Sequence, residues 1–253
     1  MSDITFVVEI FFSFDRANRI LSPEWITERF KLFERYTLRS LLNQSFQDFR
    51  IFLLCGKRNK HITSKLSWHP KVEVYHVTGE DRLYRPKRQR PTSEVKGYRN
   101  IDSDYLSITQ LGSDDLFHKD LMAEIRDSVF LDSKRSVLVV RKFIIWHTLQ
   151  HYIINDGHSR TSAFITHVFP RSIYKNWKHF VTQCYLNPRV AGLDLPTTKE
   201  IGPFKICSTR HAHNISDIKN KGKKIEWRGE RITDKKIITE SLKDFGLGEV
   251  YET

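Results

Sequence analysis

Apolar positions change period twice along the first third of the chain. Ile4–Phe14 is a near-continuous apolar, aromatic and β-branched run, as in a central strand covered on both faces. Ser22-Pro23-Glu24 follows and predicts a helix start, with Ser22 as N-cap and Pro23 in the first turn. From there Trp25, Ile26, Phe30, Phe33, Leu38, Leu41 and Leu42 recur at roughly helical spacing. Glu28, Arg29, Lys31, Glu34 and Arg35 read as the opposite, solvated face. The helix is expected to break near Asn43-Gln44-Ser45. Phe49–Cys55, Val72–Val77 and Tyr105–Leu111 read as further strands, and residues 119–130 as a helix. Ser136–Ile145, Tyr152–Ile154 and Phe204–Ser208 also read as strands. Arg171–Gln183 reads as an amphipathic helix through Ile173, Tyr174, Trp177, Phe180 and Val181. Strands alternating with helices predict an α/β fold with parallel strands. Between the third and fourth strands, Arg82–Pro91 is basic, interrupted by prolines and without period, so a loop is expected. There is no internal repeat and no domain boundary.

A chain of 253 residues is long enough to bury a core without disulfide or metal staples. Cys55, Cys184 and Cys207 are odd in number and lack CxxC spacing, which leaves buried free thiols. No apolar run reaches the ~18 residues of a membrane span. Met1-Ser2-Asp3 has no basic leader region and Glu9 interrupts the first apolar run, so the N-terminus reads as a strand and a cytoplasmic protein is expected, in the host cytoplasm if phage-encoded. The formal net charge of +12 attracts polyanions. The segment from Lys219 to Lys236 concentrates it. There Lys221, Lys223, Lys224 and Arg228 surround Trp227, which suits phosphate contact with base stacking, although a solvated face is the plainer reading.

Among short segments, Leu111-Gly112-Ser113-Asp114-Asp115 is the most informative. It places two carboxylates after an apolar strand, at the sheet edge where open α/β folds bind ligands. Adjacent acids there call for a neutralising cation, and the alternative is a helix-capping role. Asp102 and Asp104 precede the same strand and would project from the opposite edge. His211-Ala212-His213-Asn214 follows a strand, and only one of two histidines spaced i, i+2 can face a given site. No phosphate loop, dinucleotide fingerprint, nucleophile elbow or H-E-x-x-H motif is present.

The stretch from Trp25 to Phe49, with Ser40-Leu41-Leu42-Asn43-Gln44-Ser45-Phe46-Gln47-Asp48-Phe49 at its end, resembles the N-terminal signature of the rhamnosyltransferase family. That family is a branch of the family 2-like, GT-A-fold glycosyltransferases. Gly112-Ser113-Asp114-Asp115 is similar to the D-x-D segment of those enzymes, and His211-x-x-Asn214 to their late His-Gly-x-Asn segment. The first acid of the motif is Gly112 here, the usual preceding Arg is Gln110, and the usual acid after the second strand is replaced by Cys55-Gly56.

The resemblance implies a single GT-A-like (Rossmann-like) domain, a mostly parallel central sheet flanked by helices. Residues 1–115 would form a nucleotide-sugar half, 116–218 an acceptor half and 219–253 a basic tail. It implies transfer of a sugar from a nucleoside-diphosphate sugar with Mn or Mg held by Asp114, Asp115 and His211. Asp114 would also contact the donor. The basic loop offers Arg85, Arg88, Arg90 and Arg99 for its phosphates, with plain solvation as the alternative. Position in the acceptor half offers Asp156 or Asp194 as base for the acceptor hydroxyl, with a turn-forming role beside neighbouring glycines as the alternative for each. The basic tail suggests DNA carrying a hydroxymethylated base as acceptor. The alternatives are a cell-surface polysaccharide or oligosaccharide, or a non-catalytic nucleic-acid-binding protein on the same scaffold.

Overall fold

The computed structural model describes residues 2–13, 21–77, 96–131, 135–158, 165–176, 198–211 and 229–248. Strand β1 (Ile4–Phe11) lies inside a seven-stranded sheet, hydrogen-bonded in parallel to β2 (Arg50–Gly56) on one side and β4 (Tyr105–Gly112) on the other. β3 (Val72–Val77) extends the parallel run beyond β2. Past β4 the sheet continues antiparallel through β9 (Ile165–Pro170) to β6 (Ser136–Val139), and β10 (Thr198–Glu200) closes it, parallel to β6. The α/β class with a mostly parallel central sheet holds.

A smaller, five-stranded sheet has the order β12 (Arg231–Ile232), β8 (Tyr152–His158), β7 (Lys142–His147), β11 (Ile206–Arg210) and β5 (Leu116–Phe117). Val8 and Ile10 from the large sheet share one buried cluster with Phe143, Ile145 and Ile206 from the small one, so a contiguous core joins the two.

The apolar run expected as one strand from Ser136 to Ile145 is two strands, β6 and β7, in different sheets. Between them Val140 stays buried while Arg141 turns outward and pairs with Glu200 at 3.2 Å. Both strands are covered on both faces, so no change of pattern marks the crossing. Of the expected helix Arg171–Gln183, the described part is α6 (Arg171–Tyr174); Gln183 lies outside the described residues. The expected loop Arg82–Pro91 is also outside them.

Helix α1 (Pro23–Leu32) starts as the sequence predicts, with Ser22 Oγ accepting the Trp25 backbone N–H at 3.2 Å. It runs through a π-helical segment, Phe33–Leu38, into α2 (Arg39–Leu42). The wider turn explains the five-residue gap between Phe33 and Leu38 in the apolar stripe, and both residues are buried. Two members of the expected pattern change sides. Leu42 is 39% exposed, and Arg29, read as solvated, is 7% exposed.

Ser40 and the segment after α2 fasten this helix to β5 and the residues that follow it, just past the two acids. Gln44 Nε2 donates to the carbonyls of Ser40 (3.0 Å) and His118 (2.9 Å), and its Oε1 accepts from Met122 N. Ser40 Oγ accepts from Phe117 N at 3.2 Å. Gln47 Nε2 caps the helix end on the carbonyls of Leu42 and Gln44, while Phe46 stands edge-on to Phe6.

On the other face of the sheet, α4 (Lys96–Arg99) comes so close that a Cβ on Gly97 would sit 2.2 Å from the Tyr75 hydroxyl and 2.9 Å from Phe52 Cζ. Gly97→Ala is therefore expected to destabilise the fold by ~1–3 kcal/mol through overpacking. Chemical unfolding of the variant measures this, and an unchanged midpoint would refute it. Among the described residues no helix is long and apolar enough to cross a membrane.

Candidate functional site

Because β1, β2 and β4 are parallel, their C-terminal ends open on one edge of the sheet. Beyond β1, buried Ser13 joins the ends of two strands. Its hydroxyl accepts from Gly56 N at 3.2 Å and its carbonyl from Asn59 Nδ2 at 3.0 Å. Beyond β4, the turn Gly112–Asp115 leads into β5, whose pairing with β11 brings His211 to the same place. Helix α1 supplies Arg29 from above.

Arg29 closes on the turn with a full guanidinium fork. Nη2 lies 2.7 Å from Asp114 Oδ1, Nη1 donates to Asp114 Oδ2 at 2.9 Å, and Nε donates to Ser113 Oγ at 2.9 Å. His211 Nε2 is 3.0 Å from Asp114 Oδ2. Thr209 Oγ1 donates to the Asp114 carbonyl at 2.6 Å, and Thr209 N to Asp115 Oδ1 at 3.2 Å. Thr37, in the π-helical segment, donates to the Asp115 carbonyl at 2.9 Å.

The two neighbouring carboxyls are driven apart. Burial alone would raise Asp114, but Arg29 and the hydrogen bond from His211 hold it down at about 2. Burial and the Asp114 charge push partly buried Asp115 up to about 7, against the Ser208 hydrogen bond and the Arg210 charge. Between its unfolded value near 3.8 and about 7, Asp115 keeps a proton in the folded state that it loses on unfolding. In chelator-treated protein it should therefore lower stability as pH rises through that window, by at most ~1.4 kcal/mol per pH unit. Asp114 acts oppositely and lower, losing its stabilising effect as pH falls below about 4. Asp115→Asn should flatten the decline in an unfolding series from pH 4 to 7; an unaltered slope would contradict this.

Of the expected site residues, Asp114, Asp115 and His211 are brought together. As a metal cage they do not fit: both Asp114 oxygens are taken by Arg29 and His211, and among the described residues no three His, Cys, Asp or Glu side chains are placed to hold an ion. Arg99 is not brought to the site. Its carbonyl accepts from Lys175, which pairs with Asp102 ahead of β4, at the opposite end of that strand from Gly112. Asp102 and Asp104 sit at that wrong edge as expected, Asp104 accepting from Asp3 N at the start of β1. Asp156 falls in β8, with its side chain outside the described residues. Arg85, Arg88, Arg90, Asp194, Lys221, Lys223, Lys224, Trp227 and Arg228 are outside them too. Cys55 and Cys207 are buried free thiols, Cys55 raised to about 12 by burial.

Arg29 is the residue that sequence reasoning missed. Its signal was the spacing: it lies four residues after Trp25, three after Ile26 and four before Phe33, hence on the apolar stripe itself. Ser113 and Thr209 carried no comparable signal.

Residues 13–130, just under half of the chain, match the family model described as "Putative rhamnosyl transferase". The resemblance read from residues 25–49 thus extends across the Gly112–Asp115 turn. No curated protein matches the chain. Among solved structures, Rv0371c from Mycobacterium tuberculosis H37Rv is 10% identical, covering 81% of this chain and 92% of its own, with a TM-score of 0.40. TarS from S. aureus is 13% identical over 81% of this chain and 37% of its own, also at 0.40. The 2-C-methyl-D-erythritol 4-phosphate cytidylyltransferase of Francisella tularensis is 13% identical over 86% and 98%, at 0.39. Likeness this loose assigns no activity.

Proposed function

We propose that the protein is a glycosyltransferase that moves a sugar from a nucleoside diphosphate to an acceptor hydroxyl. One observation carries this reading. The Ser113-Asp114-Asp115 turn, inside the stretch that matches the family model, lies at the C-terminal edge of the parallel strands with its carboxylates, Arg29 and His211 converging. In the reaction the bond between the anomeric carbon and the diphosphate oxygen breaks, and its electron pair leaves with the diphosphate. The acceptor oxygen bonds to that carbon and its proton passes to a base. Asp115, which is not tied to Arg29, is the carboxyl of this turn available to the donor's hydroxyl groups. Ser13 and Asn59 lock the neighbouring ends of β1 and β2 at the same edge of the sheet. The DNA acceptor expected from the basic tail depends on residues outside the described ones.

The test is incubation with a panel of nucleotide sugars and acceptors, following the nucleotide product. Release of nucleoside diphosphate, abolished in Asp115→Asn with unchanged circular dichroism, supports the proposal. Release of inorganic pyrophosphate would indicate nucleotidyl transfer instead and overturn it. So would failure to consume any donor, with and without divalent ions.

A further inference from the structure

We propose that Arg29 is the resident cation of this acidic turn, standing where a divalent ion would otherwise be required, and that the site works without a metal. A Mg ion needs oxygen lone pairs at about 2.0–2.1 Å. Both oxygens of Asp114 face N–H donors of Arg29, and one also faces His211. Arg29 Nε is bound to Ser113, and Nη1 also lies 3.3 Å from His211 Nε2. An ion entering here would have to displace a guanidinium that does not deprotonate, or lie against its charge.

Space points the same way. At position 112 the resemblance leads one to expect the first acid of the motif, but Gly112 stands there. A Cβ on it would be 2.4 Å from Asp115 Oδ2 and 3.2 Å from Asp114 Oδ1. The two existing carboxylates have folded into the room that a third acid would need. Missing acid and added cation therefore compensate each other: one negative charge fewer, one fixed positive charge more.

Nor is Arg29 a surface side chain that has swung inward by chance. It belongs to a helix held by the Ser22 cap at one end and Gln44 at the other, it is buried, and its guanidinium lies 5.9 Å from the centre of the Trp25 ring. Such a cation cannot be removed by a chelator. It also leaves the positive charge facing a departing diphosphate to side chains. Arg210, at the end of β11 and near enough to Asp115 for its charge to act on that carboxyl, is a described candidate.

The role of Arg29 rests on the geometry alone, and only metal-free turnover rests on the proposed glycosyl transfer, so two readouts separate them. In the first, chelator-treated full-length protein is titrated with Mn²⁺ alone and free ion is followed by electron paramagnetic resonance. No saturable binding is expected. Arg29→Gln, which leaves the carboxylates without their cation, should gain binding. Saturable binding by the unaltered protein that disappears in Asp115→Asn would overturn the proposal, whether or not the Arg29 variant folds. In the second, nucleoside diphosphate release should be the same in EDTA as in Mn²⁺. A loss of about tenfold or more in EDTA, restored by the metal, would overturn it. Absence of turnover under every condition would refute the glycosyltransferase reading while the Mn²⁺ titration still decides the role of Arg29.

Discussion

Replacing Arg29 with alanine is expected to cost ~3–5 kcal/mol of folding stability, the usual penalty for leaving one partner of a buried ion pair uncompensated. Side-chain exposures of 8% for Arg29 and 10% for Asp114 place the pair well inside the range where that penalty applies. The loss should exceed what the same substitution costs at Arg126, whose partner Asp127 is 65% exposed, because solvent screens that pair. Urea unfolding of the two variants gives the comparison directly. If Arg29→Ala lost no more than Arg126→Ala, the fork on Asp114 would be a solvated contact. A double variant, Arg29→Met with Asp114→Leu, should recover much of the loss, since two apolar side chains of similar volume leave no buried charge behind.

A second large effect is expected at Gln44, which is 4% exposed and served by both ends of its amide. Gln44→Leu keeps the volume but removes a donor from the carbonyls of Ser40 and His118 and an acceptor from Met122 N. Leaving Met122 N without its acceptor and the Ser40 carbonyl without this donor, while the His118 carbonyl keeps Leu121 N, should cost ~1–3 kcal/mol. Gln44→Glu discriminates further. Its carboxylate can still accept from Met122 N but turns an acceptor toward two carbonyls, so it should be at least as damaging as leucine. Full stability in either variant would show that water reaches these groups. The same geometry gives a physical content to the Ser40–Phe49 segment on which the family resemblance was read. Ser40 and Gln44 hold the end of α2 against β5 and the helix Leu121–Ser128, Phe46 packs on Phe6 of β1, and Gln47 caps the helix end.

Much of the large sheet was legible in the chain. The Ile4, Arg50 and Tyr105 strands are largely apolar, largely buried runs and the edge strand Val72–Val77 a half-buried one, each bounded by turn residues, and such runs have few alternatives. The Ser22-Pro23 start was equally plain, because a side-chain cap and a fixed proline φ are local devices. The division of Ser136–Ile145 between two sheets was not legible, since burial on both faces erases the alternation that would mark a change of partner. The site was half legible. Two adjacent acids after a strand announce an edge and a need for positive charge, and His211 was placed near them by resemblance. What meets them was hidden by treating an arginine on a helix as solvated, although its spacing from Trp25, Ile26 and Phe33 put it on the buried stripe.

By itself, then, the sequence determined the strand runs, the capped helix and the two acids at the end of β4, because each is set by side chains within a few residues of one another. Only the tertiary structure decided which cation those acids hold. Arg29 and Asp114 are 85 residues apart and Asp114 and His211 are 97 apart, and no local pattern encodes a contact that exists only once helix, turn and strand have packed around it.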